Sequence, residues 1–380
     1  MIPYGKHSIV QADIDAVVDV LENKFLTQGE TVPLFEQALC NYTGAKYAVA
    51  VNSGTSGLHV ACLAAGVGQG DIVWTVPNSF VASANCAKYC GADVDFVDID
   101  SETRNISICA LAGKLERASK HNQLPKALIV VHFAGLSCDM AEIAEMLAPY
   151  PIVLIEDAAH GLGGSYREHK IGSCRFSDIA VLSFHPVKSI TTAEGGAVMT
   201  NQVEMADKAA LYAKHGVTRD PQKLTERHGP WYYQQHVLGF NYRLSDLQAA
   251  LGLTQLKRLD GFIKKRAALA ARYNQKLQGL PLNLPLPEAQ NNKSAWHLFM
   301  IELQAYDRAE IFAQLKANGV GVNVHYIPIH LQPFYQQLGF ASGDFPNAEK
   351  FYDGALTLPL YPDLSLDDQD KVVNALVELL

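Results

Sequence analysis

Residues 179–200 have the sequence IAVLSFHPVKSITTAEGGAVMT, and this stretch decides the fold class. The segments 179–184 and 196–200 are almost wholly apolar, which is typical of strands that are covered on both faces. The polar loop between them carries one lysine, Lys188. Two glycines after Glu194 permit a tight turn into the second strand. The stretch therefore predicts two buried strands joined by a loop that bears a lysine.

The same texture extends toward the N-terminus, where short apolar segments alternate with helix-period segments. This alternation implies crossover connections and a mostly parallel sheet. The sequence thus predicts an α/β fold with a mostly parallel seven-stranded sheet flanked by helices. The other predicted strands are 47–51, 72–76, 94–97, 127–133 and 152–156, and the predicted helices are 55–65, 80–89, 109–118 and 140–147.

The second half of the chain has a different organisation. A further helical stretch runs over 201–215. Residues 218–240 are polar and aromatic, and a loop of this length is usually either a functional lid or disordered. A helical pattern over 241–277 and a linker over 281–287 precede a smaller α+β region with strands at 298–303 and 320–324 and helices at 308–317 and 366–380. We expect a large domain, 1–250, and a small C-terminal domain, 251–380, with the long helix linking the two.

Composition excludes several classes of function. The 380 residues include 31 Lys and Arg against 39 Asp and Glu, a net charge of −8 that argues against nucleic-acid binding. No apolar run is long enough to span a bilayer, and the N-terminus lacks the apolar core of a signal peptide. The seven cysteines are scattered, and Cys86 and Cys90 have no second metal-ligand pair beside them. We expect a cytoplasmic protein with reduced thiols, no metal site and no membrane contact.

A candidate anion site is the segment 52–57, Asn-Ser-Gly-Thr-Ser-Gly, which follows a predicted strand and opens a predicted helix. Small residues let the backbone approach an anion. The helix N-terminus offers free N–H groups, and Thr55 and Ser56 add hydroxyl donors. The alternative is an ordinary turn that ends in a helix cap.

Two charged residues are candidates for the chemistry. Asp157 ends an apolar strand, which suits a carboxylate whose partner must stay protonated, such as a pyridinium nitrogen. The alternative for Asp157 is a helix cap. Lys188 follows a strand with few charges around it, and a desolvated lysine is a nucleophilic amine. The alternative for Lys188 is a solvated loop lysine.

The order of these features resembles that of fold type I pyridoxal-phosphate (PLP) enzymes. The segments that carry a narrower resemblance, to the DegT/StrS family of nucleotide-sugar aminotransferases, are 52–56, 156–160, 183–188, 194–196 and 239–243. The resemblance covers essentially the whole chain, through 324–328. Segments 25–29, 79–85 and 185–192 are most similar to the members that act in pseudaminic acid biosynthesis. Those members use L-glutamate to aminate C4 of a UDP-linked 2-acetamido-2,6-dideoxy-4-ketohexose.

The resemblance implies a role for each candidate residue. Lys188 would bind PLP covalently and then act as the general base, and Asp157 would pair with the pyridine nitrogen. Phe80 would stack on the ring, and His160 would reach its phenolic oxygen, although a core aromatic and a structural histidine are the alternatives. The implied phosphate contacts are Gly54, Thr55, Ser56, Ser183 and, from a neighbouring subunit, Asn241.

If Asn241 binds the phosphate in a neighbouring subunit, the protein is a homodimer whose active sites are each built from two chains. The alternative for Asn241 is the N-cap of the long helix. Arg243, His325 and Tyr326 are candidates for the sugar nucleotide, and Arg243 could serve the dimer contact instead. The candidate cations for a diphosphate are His215, Arg219, Arg227, Arg243 and His325. The alternative for each is a solvated surface charge.

Other functions stay open at this point. The substrate could be another 4-keto nucleotide sugar, of the perosamine or bacillosamine type. Sugar dehydratases of the family have histidine in place of the reactive lysine, and Lys188 argues against that activity here. A non-catalytic sensor that keeps the fold would be favoured by loss of Lys188 or Asp157, and both are present.

Overall fold

The structure is a computed structural model and describes residues 1–380. The helices are α1 Gln11–Asn23, α2 Thr31–Thr43, α3 Gly54–Ala64, α4 Ala82–Tyr89, α5 Ile108–Lys120, α6 Met140–Leu147, α7 Val203–Ala213, α8 Asp246–Leu277, α9 Arg308–Ala317, α10 Pro333–Gln336, α11 Pro346–Gly354 and α12 Leu366–Val377. The strands are β1 Tyr47–Val51, β2 Ile72–Thr75, β3 Asp93–Phe96, β4 Ala127–Val131, β5 Val153–Asp157, β6 Ser165–Tyr166, β7 His169–Lys170, β8 Ile179–Ser183, β9 Gly196–Thr200, β10 Val217–Thr218, β11 Gln234–Gln235, β12 Leu282–Asn283, β13 Asn292–Lys293, β14 Phe299–Leu303 and β15 Ala355–Leu358.

A seven-stranded sheet in the order β1-β9-β8-β5-β4-β2-β3 forms the centre of the molecule. Neighbours from β8 to β3 run parallel, whereas β9 is antiparallel to both β1 and β8. The prediction of a mostly parallel seven-stranded sheet is confirmed. Because β9 returns directly after β8, the loop that joins them lies at the carboxyl end of β8 and carries Lys188.

Strand β4 shows why the predicted strands lack polar residues. All five of its residues are buried. Ile129 packs into the core formed with α3, α4 and α7, while Leu128 and Val130 pack into the core on the other face, formed with α5 and α6. A strand covered on both faces gains from apolar side chains at every position. Truncating Ile129 to alanine would cost about 2–5 kcal/mol of folding free energy.

A small antiparallel sheet, β12-β14-β15, organises the C-terminal region. The predicted strand 320–324 is wrong. Val320 forms an isolated bridge with Ile2, and Asn323 forms another with Thr357. The chain changes partner between these two bridges, so no continuous ladder can form. The predicted linker 281–287 is also wrong in part, because Leu282–Asn283 pairs with β14.

The long helix α8 begins at Asp246, later than the predicted start at 241. Residues 241 and 243 form isolated bridges with Lys214 and Val51, which keep this segment extended. Ser245 caps the helix, and its side chain accepts a hydrogen bond from the backbone N–H of Gln248. The alternative role of Asn241 as the cap of this helix is therefore wrong. The predicted domain boundary at residue 250 stays a prediction, since α8 runs through it without a break.

The segment 218–240 is mostly irregular, apart from the short ribbon in which β11 pairs with β10. Helices α1 and α2 precede the first strand and pack against α8. No helix in the structure combines the length and the apolar character needed to cross a membrane.

Candidate active site

A cavity of about 400 Å³ lies at the carboxyl ends of β5 and β8. This is the edge of a parallel sheet at which ligands usually bind. The last residues of the two strands, Asp157 and Ser183, both line it, and so do Lys188 and the N-terminus of α3. The segment 323–326 from the C-terminal region closes the opposite side. The structure thus brings together candidates that lie far apart in the sequence.

Asp157 is buried, and both of its carboxylate oxygens accept hydrogen bonds. Its Oδ1 accepts the backbone N–H of Ala159 at 3.1 Å, and its Oδ2 accepts the hydroxyl of Ser83 at 2.6 Å. Donors to a carboxylate stabilise its ionised form. Asp157 is therefore prepared to act as an anion although it is removed from water.

The neighbouring residue, Glu156, points to the opposite face of the sheet and anchors the strand there. The backbone N–H of Cys138 donates to His132 Nδ1 at 3.2 Å, so His132 Nε2 carries the hydrogen and donates to Glu156 Oε2 at 2.8 Å. Ser177 donates to the other carboxylate oxygen of Glu156. This buried network fixes the end of β5 from behind.

Lys188 lies in the loop between β8 and β9, where its backbone N–H donates to the carbonyl of His185 at 2.9 Å. Burial lowers the pKa of the Lys188 amine to about 8, and the negative charge of Asp157 opposes part of that shift. An amine with this pKa is partly deprotonated near neutral pH and can act as a nucleophile or a base. The solvated-lysine alternative does not describe this environment.

The segment after β1 forms a tight helix N-terminus. Ser53 caps α3, and its side chain accepts the backbone N–H of Ser56 at 3.0 Å. A Cβ atom on Gly54 would lie 2.9 Å from Ser183 Cβ, so only glycine allows this approach to β8. Thr55 lines the cavity. The Ser56 hydroxyl instead donates to Asn52 Oδ1 at 2.7 Å and lies outside the cavity lining.

Three buried histidines, His160, His297 and His325, and Tyr326 together form one wall of the cavity. Burial and the positive charge of Lys188 hold the pKa values of His160 and His297 well below the usual range and lower that of His325 to about 3. All three imidazoles are therefore neutral at pH 7. Tyr326 lies with its hydroxyl 3.2 Å from His160 Nε2, and burial raises its pKa.

Phe80 also lines this cavity and remains 57% exposed. Its ring centroid lies 6.1 Å from that of Tyr326. The phenyl ring is therefore free to cover a flat ligand, and the core-aromatic alternative does not describe an exposed ring. The imidazoles of His160 and His297 are in contact, with centroids 4.3 Å apart and planes tilted by 43°, and Nδ1 of each has no partner within the chain.

Asn241 and Arg243, like Ser56, lie outside the cavity of their own chain. Asn241 is exposed, and its backbone carbonyl accepts the side-chain amide of Asn52 at 3.4 Å. Arg243 forms a bridge with Val51 beside the end of β1. Of the cations proposed for a diphosphate, His325 alone lines the cavity.

Several residues that line the cavity are not among the predicted site residues: Tyr4, Ser79, Ser83, His297 and Asn323. Ser79 and Ser83 belong to the segment 79–85, which contributed to the family resemblance without a role for either serine. For Tyr4 and His297 the sequence carries no local signal, because contacts distant along the chain bring them to the site.

The residues of the cavity fit PLP. A buried amine with a lowered pKa suits its aldehyde, a hydrogen-bonded carboxylate suits its pyridine nitrogen, and a glycine-tight helix N-terminus suits its phosphate. His160 Nδ1 is a buried polar atom without a partner, as expected where a ligand supplies one. The fold and this set of residues are those of a fold type I PLP-dependent aminotransferase.

Comparison with known proteins narrows this class. The profile of the DegT/DnrJ/EryC1/StrS aminotransferase family matches residues 7–377, and the chain belongs to that family. It is therefore a PLP-dependent sugar aminotransferase that acts on small molecules, and the prediction of the family, the cofactor and the fold type is confirmed.

Individual relatives are similar over their full length. The chain is 39% identical over 383 residues to the UDP-4-amino-4,6-dideoxy-N-acetyl-beta-L-altrosamine transaminase of Campylobacter jejuni, covering 100% of this chain and 98% of that protein. It is 38% identical over 385 residues to the spore coat polysaccharide biosynthesis protein SpsC of Bacillus subtilis, covering 100% and 97%. Helicobacter pylori PseC, an aminotransferase involved in the biosynthesis of pseudaminic acid, superposes with a TM-score of 0.91 at 32% identity, covering 99% and 98%.

Proposed function

We propose that this aminotransferase moves the amino group of L-glutamate to C4 of a UDP-linked 2-acetamido-2,6-dideoxy-4-ketohexose, in the biosynthesis of pseudaminic acid. The observation that carries the proposal is the desolvated amine of Lys188 in one cavity with Asp157 and the N-terminus of α3. The names of the Campylobacter and Helicobacter relatives support the choice of substrate.

Lys188 moves the protons in this proposal. PLP, when bound, supplies the electron sink that carries the amino group between the two half-reactions. Lys188 Nζ removes the proton from the α-carbon of glutamate in the first half-reaction and delivers one to C4 of the sugar in the second. A pKa of about 8 suits both directions, because the amine is then neither fully protonated nor fully free near neutral pH.

The remaining residues bind and orient. Asp157 holds a proton on the pyridine nitrogen, and Ser183, Thr55 and the backbone N–H groups at Gly54 bind the phosphate. Stacking of Phe80 on the ring would add about 0.5–1.5 kcal/mol beyond its burial. His160 contacts the phenolic oxygen of PLP.

The neutral histidine wall supports a sugar site. His325 Nδ1 lies 2.7 Å from Thr357 Oγ1, and this contact orients the ring. Uncharged imidazoles and the Tyr326 hydroxyl can hydrogen-bond sugar hydroxyls without adding positive charge next to Lys188. Added charge there would lower the pKa of the Lys188 amine further and weaken it as a base.

A homodimer with shared active sites completes the proposal. The backbone N–H of Asn52 donates to the carbonyl of Tyr242 at 2.8 Å, which fixes the segment 239–243 beside the phosphate end of the cavity. The exposed side chain of Asn241 lies outside the cavity of its own chain. In a homodimer, the side-chain amide of Asn241 and the guanidinium of Arg243 would instead enter the active site of the second copy of the chain.

A product assay tests the substrate. Purified protein is incubated with glutamate and a panel of 4-keto nucleotide sugars, and NMR identifies the amino sugar formed. We expect turnover of the UDP-linked 2-acetamido-2,6-dideoxy sugar with nitrogen at C4. Preference for another nucleotide or sugar would refute the substrate and leave the aminotransferase assignment in place.

A matched pair of variants tests the lysine. Lys188→Ala should bind PLP without a covalent link and show no turnover, whereas Lys350→Ala, on an exposed helix surface, should behave as the parent. Near-normal turnover by Lys188→Ala would exclude the proposed role.

A second substrate class has support of its own. The SpsC relative is similar to almost the same degree as the Campylobacter transaminase, and its name places it in the biosynthesis of spore coat polysaccharide without specifying a sugar. Amination of a different 4-keto nucleotide sugar, of the perosamine or bacillosamine type, is therefore the alternative that the same panel would detect.

A further inference from the structure

Two serines at the N-terminal end of α4, Ser79 just before the helix and Ser83 in its first turn, form a short hydroxyl chain that ends on Asp157. Ser79 and Ser83 are both buried, and their hydroxyl oxygens lie 2.7 Å apart. The Ser83 hydroxyl lies 2.6 Å from Asp157 Oδ2. Both serines line the same cavity as Asp157.

The chemistry of the groups fixes the direction of this chain. An ionised carboxylate only accepts hydrogen bonds, so Ser83 donates to Asp157. The oxygen of Ser83 then accepts from Ser79, and each bond polarises and strengthens the next. The backbone N–H of Ala159 occupies Oδ1 of the same carboxylate. Asp157 is therefore held by one donor on each oxygen.

We propose that Ser83, supported by Ser79, is a positioning residue that keeps Asp157 ionised and aims its carboxylate at the pyridine nitrogen of PLP. The inference rests on the proposed function, because it assumes that Asp157 is the partner of that nitrogen. The proton between the Asp157 carboxylate and the pyridine nitrogen can lie on either group. If the Ser83 hydroxyl no longer donates to Asp157, the carboxylate becomes more basic and takes this proton from the pyridine nitrogen.

The same hydroxyl chain connects two residues that are proposed to contact the cofactor. Ser79 directly precedes Phe80, and the backbone N–H of Ser83 donates to the Phe80 carbonyl at 3.2 Å. The hydroxyl chain thus ties the residue proposed for the ring face to the residue proposed for the ring edge. The hydroxyl of a serine in a helix often donates a hydrogen bond to a backbone carbonyl of the preceding turn. The hydroxyl of Ser83 instead donates to Asp157 Oδ2.

The test uses PLP labelled with ¹⁵N at the pyridine nitrogen and bound to the full-length enzyme. In the parent, the ¹⁵N shift should be that of a protonated pyridine. In Ser83→Ala it should move toward the unprotonated value, and kcat should fall about 10-fold with an unchanged KM for glutamate. Ser83→Thr keeps a hydroxyl and should restore the parent shift, and Ser79→Ala should give a smaller displacement in the same direction.

Ser137→Ala is the matched control, because it removes another buried serine hydroxyl, one that donates to the carbonyl of Cys138. Its ¹⁵N shift should equal that of the parent. A parent-like shift in both Ser83→Ala and Ser79→Ala would overturn the inference. A parent enzyme whose bound pyridine is unprotonated, or that binds no PLP, would instead refute the proposed role of Asp157 or the cofactor site itself.

Discussion

The pH dependence of PLP capture by the cofactor-free enzyme should report the Lys188 amine directly. Burial lowers the pKa of this amine from 10.5 to about 8. A difference of about 2.5 units corresponds to about 3.4 kcal/mol of bias against the ammonium form. At pH 7 the amine fraction is then about 9%, against about 0.03% for an ordinary lysine, a gain of about 300-fold in reactive species.

The assay mixes cofactor-free enzyme with PLP between pH 6.5 and 9.5 and follows the visible absorption of the bound cofactor by stopped flow. The rate of covalent capture should rise about tenfold per pH unit below a midpoint near 8 and then level off. Lys188→Ala should show no covalent phase. In Asp157→Asn the midpoint should move to lower pH, because the negative charge that favours the ammonium form is gone.

A midpoint near the ordinary lysine value would refute this reasoning, since it would place the amine in water. A midpoint that Asp157→Asn leaves unmoved would show that the two groups do not interact. Borohydride trapping and peptide mapping provide the check on identity, because the labelled peptide must contain Lys188.

Three further predictions follow from the same geometry. Gly54→Ala should weaken PLP binding by at least about 10-fold, because the added Cβ would lie 2.9 Å from Ser183 Cβ. Gly261→Ala is the control and should bind PLP normally, because a Cβ there meets no atom within 4 Å. Equilibrium titration with PLP compares the two variants. Asp246→Ala removes the acceptor of the Gly29 and Thr31 backbone N–H groups, and urea unfolding should show a loss of about 2–4 kcal/mol in the free energy of unfolding. Asp353 is exposed, so Asp353→Ala should leave the free energy of unfolding almost unchanged. Between pH 8 and 10.5, the cofactor-free parent should gain up to about 3 kcal/mol of stability relative to Lys188→Met. The pKa of Lys188 is about 8 in the folded protein and 10.5 in the unfolded chain, so burial of the ammonium destabilises the fold fully below pH 8. This cost falls as the pH rises and is gone above 10.5.

The sequence predicted the parts of the fold and site that depend on local pattern. Strand β4 is apolar throughout because both of its faces are covered, and that requirement is visible in any short window of sequence. The place of Asp157 and Lys188 in the cavity was predictable because Asp157 ends such a strand and Lys188 lies in the loop that follows another. The segment 320–324 was misread as a strand because its apolar residues are buried by partners distant along the chain, which no local window contains.

The same limit applies to the donors around the site. Ser83 is one small polar residue inside a helix, and its meaning depends on the 2.6 Å distance to a carboxylate from another strand. His297 follows a tryptophan in an apolar stretch, and the structure alone reveals that its ring centroid lies 4.3 Å from that of His160. Chemistry assembled between distant segments leaves little trace in the sequence of either one.

The balance of charge in the cavity bears on the dimer proposal. Among its lining residues Lys188 is the sole lysine, no arginine is present, and the carboxylates are Asp157 and Glu194. Burial lowers the pKa values of His160, His297 and His325, so these three imidazoles are neutral and cannot offset the negative charge of a diphosphate. A site that binds both PLP and a nucleotide diphosphate needs more cationic groups than this cavity provides. Arg243 and the segment 218–240 carry such groups outside the cavity, which is the arrangement expected if a second copy of the chain completes the site.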